Sequence, residues 1–226
     1  MKAFFLTSEF KGSTPSPASG IAFEQGASYK VTVGKITKEA SSFAEVTKQV
    51  VAYLEGGYYN PAYHSTGDSR YSTSGETMFG IDRKAGGTIN TTEAGKKFWS
   101  KIDTAQKTAK WKWNYIPPNP LQKELLDSVV QIMKPVYDSN MKNYLADPAL
   151  QKVIESDGRL LFNFIYACWN GPGWFKGWAR EIKKAYKSGK TSSEDLVKYF
   201  VALRVTSTNS LISQGGRKIK ELVGLI

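Results

Sequence analysis

Residues 42–60 read SFAEVTKQVVAYLEGGYYN, and this stretch decides how the rest of the chain is read. Ser42 with Glu45 has the spacing of a capping box, in which two side chains satisfy backbone N–H groups reciprocally at a helix start. Phe43, Val46, Val50, Val51 and Leu54 follow at helical intervals, which makes one face apolar. Gly56-Gly57 then stop the pattern, because glycine leaves helical backbone angles at little steric cost. The spacing predicts a helix of about three turns that ends at Glu55.

Upstream, residues 1–40 are rich in Ser, Gly and Thr, and only Tyr29-Lys30-Val31-Thr32-Val33 alternates in the manner of a strand, giving a strand or hairpin that ends at Gly34. These residues read as an N-terminal appendage, and 41–226 as one catalytic domain. Downstream, Tyr58 to Gly87 is dominated by Gly, Ser, Thr, Tyr and Asn without helical period, which predicts short strands and turns. After Thr91-Thr92 helical signals return. Asn119-Pro120 and Asp147-Pro148 are cap and first-turn pairs, and Ser192 with Asp195 opens another helix. Pro135 interrupts a helical run from Leu121 to Leu145 and predicts a kink or break there. The run Arg159 to Trp169 is apolar nearly all round and reads as a buried central helix.

The chain has 226 residues, 41% hydrophobic and 23% charged, within the range of a globular protein with a sizeable core. Its longest apolar stretch is too short for a membrane span. The opening MKAFFLTSEFK starts in the manner of a signal sequence, but Glu9 and Lys11 cut the apolar part short, so export without another protein is not expected. One cysteine, Cys168, excludes an internal disulfide, and one histidine, His64, removes most zinc sites built from His and Cys. No metal and no cofactor are expected. A net charge of +11 attracts polyanions: nucleic acid, acidic lipid or an anionic bacterial wall.

Hydrolysis of a glycosidic bond needs a carboxylic acid that stays protonated near neutral pH, and commonly a second carboxylate. Glu55 at a helix C-terminus meets the partial negative charge of unpaired carbonyls, which raises a carboxyl pKa. Tyr58 and Tyr59 offer flat walls for a sugar ring. The second carboxylate is either Asp68, in Ser65-Thr66-Gly67-Asp68-Ser69, or Glu76, in Ser74-Gly75-Glu76-Thr77.

YLEGGYYN followed by SGETMFGID resembles phage lysozymes, nearest to the endolysin group of glycoside hydrolase family 108. Glu55, Gly56, Gly57 and Tyr58 match that group's first motif; Gly75, Thr77, Gly80 and Ile81 match its second, with Phe79 in place of Tyr. A later resemblance lies at Ala167-Cys168-Trp169-Asn170-Gly171-Pro172. The likeness spans roughly residues 42–215 by motif order. It implies an α+β fold, mainly α: a lysozyme-like helical domain with a small β-hairpin or sheet lobe after the catalytic helix. It further implies Glu55 as acid, Thr77 beside the attacking water, and Asn170 with Trp169 at the substrate cleft. The family's Asp before the glycines is absent from Tyr71-Ser72-Thr73-Ser74, so Asp68 or Glu76 takes that role.

Plainer readings stand beside these. A Glu before Gly-Gly is often only a solvated helix end, Glu76 can pair with Arg70 or Arg83, and Asp68 sits in ordinary turn chemistry. A cysteine nucleophile using Cys168 and His64 is disfavoured, since Cys168 lies in an apolar helix. Trp174 and Trp178, four apart, favour packing, and the basic runs around Lys96 to Lys112 and Lys183 to Lys190 are first of all solvated faces.

The expected function is a lysozyme-type N-acetylmuramidase acting on peptidoglycan, with no nucleic acid partner and a monomeric state. The rivals are a lytic transglycosylase on the same bond and a non-catalytic basic virion or nucleic-acid-binding protein. The expected setting is a phage product, released from the host cytoplasm to the wall or carried in the virion.

Overall fold

The computed structural model describes residues 22–24, 30–32, 39, 42–53, 62–63, 76–82, 92–106, 119–169 and 171–205. These residues are mainly helical. Helix α1 spans Phe43–Tyr53, α2 Glu93–Gln106, α3 Asn119–Asn140, α4 Pro148–Glu155, α5 Gly158–Trp169, α6 Pro172–Lys187 and α7 Ser193–Val205. Two short antiparallel arrangements flank α1. Strand β1 (Ala22–Glu24) pairs with β2 (Lys30–Thr32), and β3 (Ala62–Tyr63), β4 (Glu76–Met78) and β5 (Ile81–Asp82) follow one another in a second sheet. Strand β2 lies within the alternating stretch that predicted it.

Side-chain caps explain where the helices begin. The Glu45 amide donates to Ser42 Oγ at 3.1 Å, the Gly95 amide to Thr92 Oγ1 at 3.0 Å, and the Asp195 amide to Ser192 Oγ at 3.1 Å. At α4 the Leu150 amide donates to Asp147 Oδ1 at 3.1 Å, with Pro148 in the first turn, where its missing N–H costs nothing. Each such cap is worth about 1 kcal/mol.

Helix α5 is the centre of the bundle. All its residues from Gly158 to Ile165, together with Ala167 and Cys168, are buried, and α1, α3, α4, α6 and α7 all pack on it. Helix α1 contributes Val46, Val50 and Val51 to this core, α3 contributes Leu125, Val129, Met133 and Tyr137, and α6 contributes Phe175, Ala179 and Ile182. Phe164 touches rings on both sides: Phe175 at 5.3 Å edge-on and Phe200 at 5.5 Å stacked. Trp178 packs on Phe200 at 4.3 Å and stacks with Trp174 at 6.4 Å, so this pair belongs to the α6 and α7 packing.

Of the kink or break expected at Pro135, the break is not there. Helix α3 runs on through Pro135 to Asn140 and passes into a single π-helical turn, Met141–Leu145. Pro135 and Gln131, whose carbonyl loses its partner, are both exposed, so the lost hydrogen bond lies on the solvent side, while Ile132, Met133 and Tyr137 hold the other face in the core. The chain turns away later. The Ala146 amide donates to the Met141 carbonyl at 2.9 Å, Ala146 is left-handed (φ 49°), and Asp147 restarts as the cap of α4.

Candidate functional site

In sequence, Glu55 and Asn170 come shortly after the described parts of two helices that pack on one another. Helix α1 is described to Tyr53, and α5 ends at Trp169. Glu55, Tyr58, Tyr59, Asp68 and Asn170 lie outside the described residues, as does His64. Of Glu76 and Thr77 the backbone is described: in β4, Glu76 stands opposite Tyr63, and Thr77 stands between Ala62 on β3 and Asp82 on β5.

The second motif folds as a two-residue hairpin. Met78 pairs with Ile81, and the turn between them is Phe79-Gly80 with φ of 52° and 73°. Two positive φ values suit the right-handed twist of the flanking strands, and glycine takes one of them without strain. A bulky residue does not, yet Phe79 is 2% exposed and Ile81 1% exposed, so the turn is pinned to the hydrophobic core. Phe79, Gly80 and Ile81 therefore have folding reasons for their identity, which leaves Glu76, Thr77 and Asp82 as the described positions of SGETMFGID with chemically capable side chains.

Trp169 is partly buried and packed on the core. Its Nε1–H is shielded from solvent, as is Gln49 Oε1 on α1, and neither has a hydrogen-bond partner among the described residues. Orphaned groups of this kind cost about 1–3 kcal/mol each. Gln49 is not among the apolar positions that the helical period picks out in α1, yet it is buried.

Among the described residues, a buried charge cluster lies elsewhere. Asp157, at the entry to α5, is fully buried and accepts from Arg159 Nε at 3.0 Å and Nη2 at 2.8 Å, and from the Arg159 amide at 3.0 Å. Arg159 Nη2 also reaches Glu194 Oε2 of α7 at 2.7 Å. Burial alone would raise the Asp157 carboxyl, but the hydrogen bonds from Arg159 and Ser193 and the guanidinium charge outweigh it and hold the group below the usual Asp value. The cluster ties the central helix to α7. Asp157-Gly158-Arg159 just ahead of an apolar run was its signal in the sequence.

Cys168 is buried, with Sγ donating to the Phe164 carbonyl at 3.4 Å and Asn140 Nδ2 3.6 Å from Sγ. Burial pushes its thiol up to about 12, against a lowering contribution from Asn140, so it offers no thiolate near neutral pH. Among the described residues no group of three His, Cys, Asp or Glu side chains is placed to hold a metal ion, and no helix is long and apolar enough to cross a membrane.

The described residues thus define a mainly helical protein built round one buried helix, with short antiparallel strands on either side of α1. No protein family, curated protein or solved structure matches the chain, so the resemblance to phage endolysins rests on its motifs.

Proposed function

We propose that the chain is a peptidoglycan-cleaving glycosidase of the lysozyme type, hydrolysing the β-1,4 bond between N-acetylmuramic acid and N-acetylglucosamine. The observation that carries the reading is motif order around α1: Glu55-Gly56-Gly57-Tyr58 begins two positions after Tyr53, the last described residue of a capped helix, and Ser74 to Asp82 follows in turn. Glu55 is the general acid that protonates the leaving oxygen, and its position at the predicted helix end supplies the raised pKa this role requires. Glu76 or Asp68 assists from the opposite side of the sugar, with Thr77 beside the water. Tyr58, Tyr59, Trp169 and Asn170 line the cleft. The enzyme reaches the wall from the host cytoplasm or from the virion.

Without a settled second carboxylate, a lytic transglycosylase on the same bond is the nearest second reading: there the muramic C6 hydroxyl attacks in place of water. The test is to digest purified wall with the wild-type chain and with Glu55→Gln and to weigh the released muropeptides by mass spectrometry. Wild type releases reducing muropeptides, and Glu55→Gln loses about 10²–10⁴ of the rate, the usual worth of a general acid. Equal release by both chains removes Glu55 from the reaction. Anhydro-muramic ends select the transglycosylase, and no release by either chain favours a non-catalytic basic binding protein.

A further inference from the structure

Helix α6 carries five basic residues and one acidic one, and their spacing sorts them. Lys176, Arg180, Lys184 and Lys187 recur at intervals of four, four and three, which keeps them on one stripe about 16 Å long. All four are exposed, and Lys190 in the following turn is exposed too. The opposite face of α6 is in the core through Phe175, Ala179, Ile182 and Ala185. Lys183 turns toward the π-helical turn and donates to the Tyr144 carbonyl at 3.0 Å. Glu181 lies off the stripe, half-buried, with Oε1 3.1 Å from Arg180 Nε and Oε2 accepting from the Tyr199 hydroxyl at 3.4 Å. Lys176, Lys184, Lys187 and Lys190 have no carboxylate partner among the described residues.

The other helical surfaces mix their signs. Lys96 meets Glu93 on α2, Lys134 meets Asp138 on α3, and Lys198 meets Glu194 on α7. Mixed signs are what a merely solvated surface settles on. A stripe of one sign repels itself and concentrates counter-charge, so it suits a negatively charged partner. Because the apolar face of α6 is already buried, the helix has nothing to insert into a lipid layer, and contact is through charge alone.

We propose that this stripe docks the linear phosphate polymer of a bacterial wall, a poly(polyol phosphate), and holds the protein on its substrate. This choice of partner rests on the wall-hydrolase reading of Glu55. Phosphates along such a polymer are separated by only a few bonds, and successive cations on the stripe stand about 6 Å apart along the helix. Stem-peptide carboxylates are spaced by whole sugar units and match that repeat less well.

The test titrates the full chain with labelled poly(glycerol phosphate) at several salt concentrations, reading fluorescence anisotropy. The charge-reversal set Lys176→Glu, Lys184→Glu, Lys187→Glu is expected to weaken binding by about tenfold or more. It should also lower the salt slope by about two, three contacts at about 0.7 each. A control set carrying the same net charge, Lys97→Glu, Lys123→Glu, Lys152→Glu, changes exposed lysines on α2, α3 and α4 and should bind within about twofold of wild type. If charge reversal lowers the melting temperature, the same three positions as Lys→Gln replace it. Equal weakening by both sets, no binding by wild type, or tighter binding to single-stranded DNA of equal phosphate number overturns the proposal. The polymer contains no glycosidic substrate, so Glu55→Gln binds as wild type does, and a failed digestion of the wall leaves this result standing.

Discussion

Helix α5 and the β4–β5 hairpin end in the same hydrophobic core, but they reach it by opposite means. The helix arrives without strain: ten of its twelve residues are buried, and its backbone hydrogen bonds are internal. The hairpin arrives through a turn that puts Phe79 in the left-handed region and then buries its ring. Holding a bulky residue there costs about 1–2 kcal/mol and persists only where the surroundings insist on it. The difference teaches which residues are free to do chemistry. In α5 almost every side chain is committed to packing, whereas in the hairpin the side chains described as buried are Phe79 and Ile81.

The packing half of that contrast is tested most severely at Phe164. Its ring is 0% exposed and contacts both Phe175 and Phe200, so Phe164→Ala leaves a cavity between α5, α6 and α7. The expected loss is about 3–5 kcal/mol, read from urea unfolding with an unchanged m-value. A loss below about 1 kcal/mol would mean that α5 is not the centre of the core.

The entry to α5 also holds a buried ion pair, Asp157 with Arg159, and pH sharpens the comparison. Because the folded Asp157 carboxyl is held below the unfolded value of about 3.9, its contribution to stability is fully present above that value and lost as pH falls through the folded pKa. Asp157→Asn is expected to destabilise the protein by about 2 kcal/mol at pH 6. That is less than the ~3–5 kcal/mol of an orphaned buried ion, because Glu194 still partners Arg159. The gap between the two melting curves should begin to narrow as pH falls from 5 through about 3.9 and go on narrowing below it. A gap that stays constant across that range would remove Asp157 from the pH response.

How far each region was legible follows from the same physics. Periodicity and capping chemistry are local, so the starts of α1, α4 and α7 and the buried run of α5 could be read from residues a few positions apart. At Pro135 the helix does not break, because proline's cost depends on whether its lost partner lies on the solvent side, which is a tertiary fact. The burial of Gln49 and the reach of Arg159 to Glu194, thirty-five residues away, are likewise invisible to a short window. In the candidate site, YLEGGYYN was legible as a motif. Glu55, Asp68 and Asn170 lie outside the described residues, and the positions of SGETMFGID that could be followed into the core proved to be structural.

The smallest effect separates the hairpin by sign from α6, a helix packed against α5. Gly80, at φ 73°, occupies a conformation that an L side chain adopts at a cost, so Gly80→Ala should destabilise the protein by about 1 kcal/mol. Gly177 sits inside α6 with nothing within 4 Å of where a Cβ would stand, so Gly177→Ala should stabilise by about 0.5–1 kcal/mol through reduced freedom of the unfolded chain. For a chain of this size each change moves the melting temperature by about 2–4 °C per kcal/mol, downward for the hairpin and upward for the helix. The identical replacement thus reads backbone conformation alone. Were Gly80→Ala neutral or stabilising, the turn would not be left-handed, and the folding reason given for Gly80 in the second motif would fall with it.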